Sequence, residues 1–469
     1  MQSTVQSHNL ASVAGQRTSI ISLVLTIAFV SGVIATRQAQ AQTLSTYKLS
    51  QFFAFRAKRG ARGDQPNGGL FRDSAGNLYG TTYVGGDINS SFCGAHKSAR
   101  PGCGVAYKVD PSGKETVLHK FSGKKDGNAP WGPLVADQAG NAYGGTAAGG
   151  YLDCAPPLFG GSGCGVVYKV DPTGKQTILH RFKDGADGAF PADGGSLILD
   201  AQGNLYGNTV FGGDLAGCAL GQGYGCGVVF KVDPTGKYSV LYAFKGKNDG
   251  AGGYGLSMDA TGNLYGVTVA GGDLNCYTSE GCGTVYRLSP TSKGWQLKTL
   301  HVFKGPEGWY PEGAPLVDSN GNLYGTTFYG GDLNCAVGGG FGCGVVYKID
   351  QNGEFTLLHT FKGKPDGAIP SDVNLSMDST GNVYGTTWQG GYGCEDFPNY
   401  GCGTVFEIDK NGKETVVHAL RGLENGEGDA PTGGVVIDPA GNLYGEVALG
   451  GTKVCIGDGC GMIFKLSPR

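Results

Sequence analysis

A five-residue phrase, Gly-Asn-(Leu/Ala/Val)-Tyr-Gly, recurs seven times and constrains this chain more than any other feature. The copies run Gly76–Gly80, Gly140–Gly144, Gly203–Gly207, Gly262–Gly266, Gly321–Gly325, Gly381–Gly385 and Gly441–Gly445. Successive copies lie 64, 63, 59, 59, 60 and 60 residues apart. That period is too long for helical solenoid units and suits a four-stranded blade with enlarged loops. Whatever occurs in every copy reads as architecture. Whatever breaks the repeat is a candidate for a site.

One unit shows the element pattern. Val117–Phe121 is a short β-type run, followed by the loop Lys124-Lys125-Asp126-Gly127-Asn128-Ala129-Pro130. Pro133–Asp137 and Tyr143–Ala147 follow, separated by a turn at Asp137–Asn141. After Gly149-Gly150 comes a cysteine-containing loop. Gly165–Asp171 closes the unit before the turn Asp171-Pro172-Thr173-Gly174. Short β-rich runs with turn chemistry at every junction predict four strands per unit and an all-β chain. The 88 glycines recur at fixed offsets beside Tyr, Val and Leu, so they read as turns rather than disorder. The ends of the chain complete the picture. Tyr47–Phe55 matches the opening strand of a unit, and Gly461–Ser467 matches its last. Pairing the two closes a ring and removes the free sheet edges. The expectation is a seven-bladed β-propeller of four-stranded blades, closed one plus three by the N-terminal strand. The Asp-Gly loops and the cysteine loops should then share one face.

The 36 Lys plus Arg against 39 Asp plus Glu leave a net charge of -3, which argues against nucleic acid as a partner. Residues 1–41 read as an export signal. Arg17 is followed by the apolar run Ile20–Ala35, and Ala39-Gln40-Ala41 offers a cleavage site, leaving 42–469 as the propeller. The fourteen cysteines fall as one local pair per unit: Cys93/Cys103, Cys154/Cys164, Cys218/Cys226, Cys276/Cys282, Cys335/Cys343, Cys394/Cys402 and Cys455/Cys460. Such pairs behind a secretory signal favour disulfides, hence a secreted or periplasmic protein. Closing loops this short stabilises by roughly 2–3 kcal/mol each in the chain-entropy view. Seven metal sites would need further ligands nearby, and only His96 accompanies any pair.

The repeated Gly-Asn-Leu-Tyr-Gly-Thr-Thr, the following Gly-Gly, and Gly-Val-Val-Tyr-Lys-Val-Asp-Pro-x-Gly resemble the bacterial GloVer tandem-repeat, choice-of-anchor proteins. The resemblance covers nearly all of Tyr47–Arg469. It implies an exported protein and carries over no catalytic residues. A more distant similarity, through the Asp-x-x-Gly-Asn-Leu-Tyr turn, is to NHL and gluconolactonase-like propellers. This chain ends at Ser467-Pro468-Arg469, directly after the last strand. No anchor is expected, nor any membrane association after signal cleavage. The expected product is a monomer.

Periodic residues read as structure. Asp73, Asp137, Asp200, Asp259, Asp318, Asp378 and Asp438 precede the signature glycine by three and suit turn caps. Tyr79 and its six equivalents suit core aromatics. His119, His180, His301, His359 and His418 share one strand position, which a catalytic role does not require. Asp126, Asp187, Asp249 and Asp366 in the Asp-Gly loops read as loop braces. Asp87, Asp214, Asp273 and Asp332 follow Gly-Gly ahead of the cysteine loop. Oxygen donors there can hold calcium, but the EF-hand spacing is absent and Tyr392 and Thr452 take the place elsewhere. A loop brace is preferred, with calcium kept as an alternative and no other cofactor expected.

Residues that break the repeat carry the functional expectation. Trp131, Trp309, Tyr310, Trp388, Tyr224, Tyr277, Phe341, Phe397 and Tyr400 should gather on the cysteine-loop face. Aromatics there stack on sugars or anchor a protein. The leading expectation is an exported, non-enzymatic module that binds a glycan or a cell-surface protein. The first alternative is an extracellular carbohydrate-active hydrolase or lyase, using carboxylates among Glu280, Glu307, Glu312, Glu395 and Asp396. The second is a structural envelope or matrix protein. The Gly-x-Ser-x-Gly elbow is missing and the paired cysteines leave no spare thiol.

Overall fold

The computed structural model describes residues 46–55, 63–87, 90, 93, 102–154, 163–191, 197–220, 223–335, 337, 340–370, 374–392, 394, 399–451 and 459–469. Residues Tyr47–Arg469 form one compact unit. Residues 1–41, expected from sequence to be an export signal, and His96, Glu395, Asp396, Phe397, Thr452 and Cys455 lie outside the described residues.

Seven antiparallel blades follow one another; in the sixth, the pair Gly367–Ala368 and Gln389–Gly390 stands apart from the four-stranded sheet. The fourth shows the pattern unbroken: Ala251–Met258, Leu264–Ala270, Thr284–Thr291 and Gly294–Val302. In the second blade the inner strand is split into Asn128–Pro130 and Val135–Ala136, both paired with Ala142–Ala148; Val166–Val170 and Gln176–Arg181 lie outside. Burial explains the order. The third strand, Val166–Val170 in this blade, is nearly all apolar because neighbouring blades cover both of its faces. The outermost strand alternates, as in Glu115–Lys120 of the first blade, with Thr116 and Lys120 exposed. Where the third and fourth strands pair, a bulge recurs, as between Ala106 and Tyr107 or Val346 and Tyr347.

Closure is one plus three. Tyr47–Ala54 pairs with Met462–Pro468 from Tyr47 opposite Pro468 to Ala54 opposite Met462, and Leu443–Leu449 and Asp429–Ile437 complete the seventh blade. Apolar clusters then run across the blade seams. Tyr79 and Phe121 of the first blade, for example, pack with Leu134, Val166 and Tyr168 of the second.

The repeated polar residues are fasteners. Asp73 accepts the main-chain N–H and side-chain amide of Asn77 at 2.8 and 2.7 Å, and the Tyr79 hydroxyl at 3.2 Å. Asp438 does the same for Asn442 and Tyr444. On the opposite face His180 and His359 each sit 3.0 Å from the Asp of their loop, Asp187 and Asp366. In the third blade the Tyr242 hydroxyl donates to Asp249 at 2.9 Å instead.

Six intra-blade disulfides are formed among the described residues: Cys93–Cys103, Cys154–Cys164, Cys218–Cys226, Cys276–Cys282, Cys335–Cys343 and Cys394–Cys402. The pairing is the one the spacing predicts. The seventh pair cannot be placed, because Cys455 lies outside the described residues; Cys460 is buried. One correction concerns location. The sequence puts both members of each pair in the cysteine loop, but most of them pack into the apolar core, and the second member of every described pair is buried. Cys226 packs with Phe244 and Ala251, Cys282 with Phe303 and Val285, and Cys343 with Phe361 and Ala368. Cys103, Cys164 and Cys402 are buried in the same way. The cause is chain direction. The second cysteine stands two residues before the apolar third strand, as Cys226 stands before Val228, so it is already entering the seam between blades. In four of these bridges the first member is buried as well, Cys93, Cys154, Cys335 and Cys394, while Cys218 and Cys276 are half-buried, so the bridges fasten the bases of the loops into the core. Six such bridges fit an oxidising compartment. No helix among the described residues is long and apolar enough to cross a membrane.

Candidate functional site

The residue before the inner-strand proline takes left-handed backbone in six blades: Gln65, Ala129, Phe190, Tyr310, Ile369 and Ala430, with φ between 52° and 60°. Gly252 takes the place in the fourth blade. A non-glycine residue there carries strain of order 1–2 kcal/mol, so the surroundings must hold it. Each of the seven N–H groups donates to the carbonyl of the second cysteine of the preceding blade. Gln65 reaches Cys460 at 3.1 Å and Ala430 reaches Cys402 at 3.3 Å. Gly252 reaches Cys226 at 3.0 Å, Tyr310 reaches Cys282 at 3.1 Å, and Ile369 reaches Cys343 at 2.9 Å. The buried cysteine of one blade therefore fixes the strained residue of the next, and a ring of side chains is set in place.

A cavity of about 560 Å³ opens on this face. Its lining comes from a few equivalent positions in consecutive blades. The residue before the proline contributes Gln65 and Ala430, and the residue after it contributes Asn67, Trp131 and Thr432. The position two before the Gly-Gly pair contributes Tyr83, Trp388 and Ala448, with Pro66, Pro431 and Leu449 between. The seventh blade, like the second with Ala129 and Ala147, carries small residues at these positions. It places Ala430 and Ala448 where the fifth blade places Tyr310 and Phe328, whose rings meet at 6.1 Å. The third blade fills the corresponding region with Phe190 against Phe211, at 5.6 Å.

Trp131 and Trp388, from the second and sixth blades, are brought together in this lining. Trp131 meets Tyr83 edge to face at 5.5 Å, and its indole Nε1 is buried without a partner among the described residues. Trp388 is 41% exposed. The other expected aromatics lie elsewhere. Trp309 is 6% exposed, packed by Tyr277, Tyr329 and Phe341 at 5.9, 5.0 and 5.6 Å, and it donates its indole N–H to the Phe341 carbonyl at 3.4 Å. Tyr277, Tyr310 and Tyr400 are exposed, and Tyr224 is half-buried against Phe211. Sequence spacing did not single out Gln65, Asn67, Tyr83 or Thr432. Aligning the units on the inner-strand proline would have exposed them, because the position after it varies from unit to unit.

The candidate catalytic carboxylates divide. Glu307 lies 3.7 Å from His301 and accepts the Lys304 N–H at 3.0 Å, so it is the fourth blade's loop brace. Glu312 is buried beside Tyr329, and its charge contributes to the raised tyrosine pKa after burial itself. Glu280 is exposed in its cysteine loop. For calcium, Asp214 accepts the Gly217 N–H at 2.8 Å, while Asp273 and Asp332 accept those of Asn275 and Asn334 at 2.9 Å. Among the described residues none of these three, nor Asp87, belongs to a cluster of three candidate ligand atoms. His359, Asp366 and Glu414 form one such cluster at the seam of the fifth and sixth blades. Burial, then the Asp366 charge, pushes the Glu414 carboxyl up to about 7.

Solved structures of similar fold include a gluconolactonase from Xanthomonas campestris, 14% identical over 74% of this chain and 88% of that one, with a TM-score of 0.40. A luciferin-regenerating enzyme is 14% identical over 90% of this chain and 95% of its own, with a TM-score of 0.40. The extracellular domain of a candidate one-component system from B. thetaiotaomicron is 12% identical over 87% of this chain and 41% of its own, with a TM-score of 0.46. No curated protein matches the chain significantly. The profile of the Gloeobacter/Verrucomicrobia repeat matches residues 33–279 and 278–469. With that profile spanning the seven blades, the chain belongs to the Gloeobacter/Verrucomicrobia repeat family.

Proposed function

We propose that this is an exported, non-enzymatic propeller that binds a glycan or a surface protein on its disulfide-loop face. The observation that carries this reading is the cavity flanked by Trp131 and Trp388 on blades two and six. Its walls are aromatic, its size suits a ligand of modest mass, and its strained corners are held by the buried ends of the disulfides. A site held rigid before binding loses less entropy on association. Export follows from residues 1–41 and agrees with the six disulfides. Calcium is not needed for this reading, since the loop carboxylates at Asp214, Asp273 and Asp332 serve main-chain N–H groups.

The test is an array of glycans and purified envelope proteins, probed with wild type and with the Trp131→Ala/Trp388→Ala double variant. Selective binding lost in the double variant, with an unchanged melting temperature, is the expected result. Selective binding retained there moves the site elsewhere on the ring. A folded protein that binds nothing favours a structural role, and turnover of an arrayed polysaccharide favours the hydrolase or lyase.

A further inference from the structure

We infer that the cavity takes an uncharged saccharide of about two or three rings, an inference that rests on the cavity being the binding site. Its described lining holds no ionisable group except the Tyr83 phenol and therefore no charge at neutral pH. A charged ligand seated here would lose its hydration without gaining a counter-charge from that lining. A purely apolar ligand fits no better, because the cavity holds polar groups that need partners. The side-chain amides of Gln65 and Asn67, both partly exposed in the lining, form no hydrogen bond with a described residue. Covering such groups with a hydrocarbon costs roughly 1–3 kcal/mol each.

Sugar chemistry satisfies both requirements at once. Each amide both donates and accepts, as each hydroxyl does, so Gln65 and Asn67 can each meet a sugar hydroxyl in either sense. The C–H face of a pyranose lies against aromatic rings, and Trp388 and the Tyr83–Trp131 pair supply such walls. The amides are well placed for discrimination. Gln65 sits at a strained backbone position tied to Cys460, and the Asn67 main chain donates to the Thr81 carbonyl at 3.2 Å. Four cations, Arg56, Lys58, Arg59 and Arg62, precede Gly63 in sequence and lie outside the described residues. An acidic saccharide is therefore the competitor to measure.

The disulfide-bonded protein is titrated calorimetrically with neutral trisaccharides of glucose, galactose, mannose and N-acetylglucosamine, and with trigalacturonate, at low and high salt. The expected result is binding of a neutral trisaccharide that salt leaves nearly unchanged. Gln65→Ala and Asn67→Ala should each weaken it about tenfold without altering the melting temperature. Binding of trigalacturonate alone, weakened by salt, overturns the inference, as does neutral binding indifferent to both amide variants. If no trisaccharide binds but a surface protein does, and Trp131→Ala/Trp388→Ala abolishes that, the site stands and the ligand class falls. If a neutral trisaccharide binds undiminished by the double Trp variant, the site itself falls.

Discussion

Glu446 breaks the repeat at a buried position. Its position in the second strand holds Thr81 and Asn208 in the first and third blades. Those side chains tie one blade to the next: Thr81 donates to the Gly132 carbonyl at 3.0 Å and Asn208 to that of Gly255 at 3.1 Å. Glu446 does the same across the closing seam, accepting from the Tyr107 hydroxyl and the Gly69 N–H. Its side chain is wholly buried, and Oε2 has no hydrogen-bond partner among the described residues. Burial pushes the carboxyl up to about 8, against the hydrogen bonds that favour ionisation. An unfolded glutamate ionises near pH ~4.3. The folded state therefore holds a proton that the unfolded chain releases, and stability falls as pH rises from there toward about 8. Glu446→Gln should remove this dependence. Urea unfolding at about pH 5 and about pH 8 should show wild type losing more stability than the variant, by at least ~1 kcal/mol. Equal losses would mean that the carboxyl ionises normally in the fold.

At the scale of the element, two glycine positions look alike in sequence and differ in consequence. Gly262 of the turn signature and Gly283, which follows Cys282, have φ of +84° and +89°. A Cβ on Gly262 meets nothing within 4 Å. A Cβ on Gly283 would stand 2.2 Å from the Thr268 carbonyl oxygen and 2.7 Å from Pro311 of the next blade. Gly262→Ala should therefore cost only backbone strain, about 1 kcal/mol, and Gly283→Ala at least ~3 kcal/mol. Urea midpoints measure both, and similar values would contradict the seam contact. The repeat made both glycines legible as architecture, along with the strands, the Asp turns and the cysteine pairs, because those patterns are local. The difference between the two is set by a neighbour in another blade, which periodicity does not encode. The burial of Cys226, Cys282 and Cys343 escaped the sequence for the same reason, since the next blade supplies much of their cover. The site was legible in the same partial way. Trp131 follows its proline by one residue and Trp309 precedes its own by two, so one lines the cavity and the other is covered by Tyr277 and Phe341. That burial depends on which residues the cysteine loops lay over the ring.

For the whole molecule, stability rests on a contact between the two ends of the chain. Tyr47–Ala54 serves two blades. It supplies the outer strand of the seventh, where Phe52 meets Tyr444 at 5.3 Å, and it leads Phe55 onto Tyr107 of the first at 5.0 Å. Phe55 is fully buried. Without this strand the edge of Met462–Pro468 loses its partner, and the seam that holds Glu446 loses its cover. An unpaired edge recruits another chain, so the ring needs this strand both to be stable and to stay single. A variant beginning at residue 56 should melt at a markedly lower temperature and elute as dimers or larger species, where the full propeller should elute as a monomer. A synthetic peptide of residues 46–55, added in trans, should restore the monomer and part of the lost stability by filling the vacant edge. The same peptide with Phe53 and Phe55 changed to Ser keeps its main-chain N–H groups but loses its apolar grip, so it should rescue poorly. A truncated protein that stays monomeric with an unchanged melting temperature would show that the six complete blades and a three-stranded seventh hold the ring by themselves.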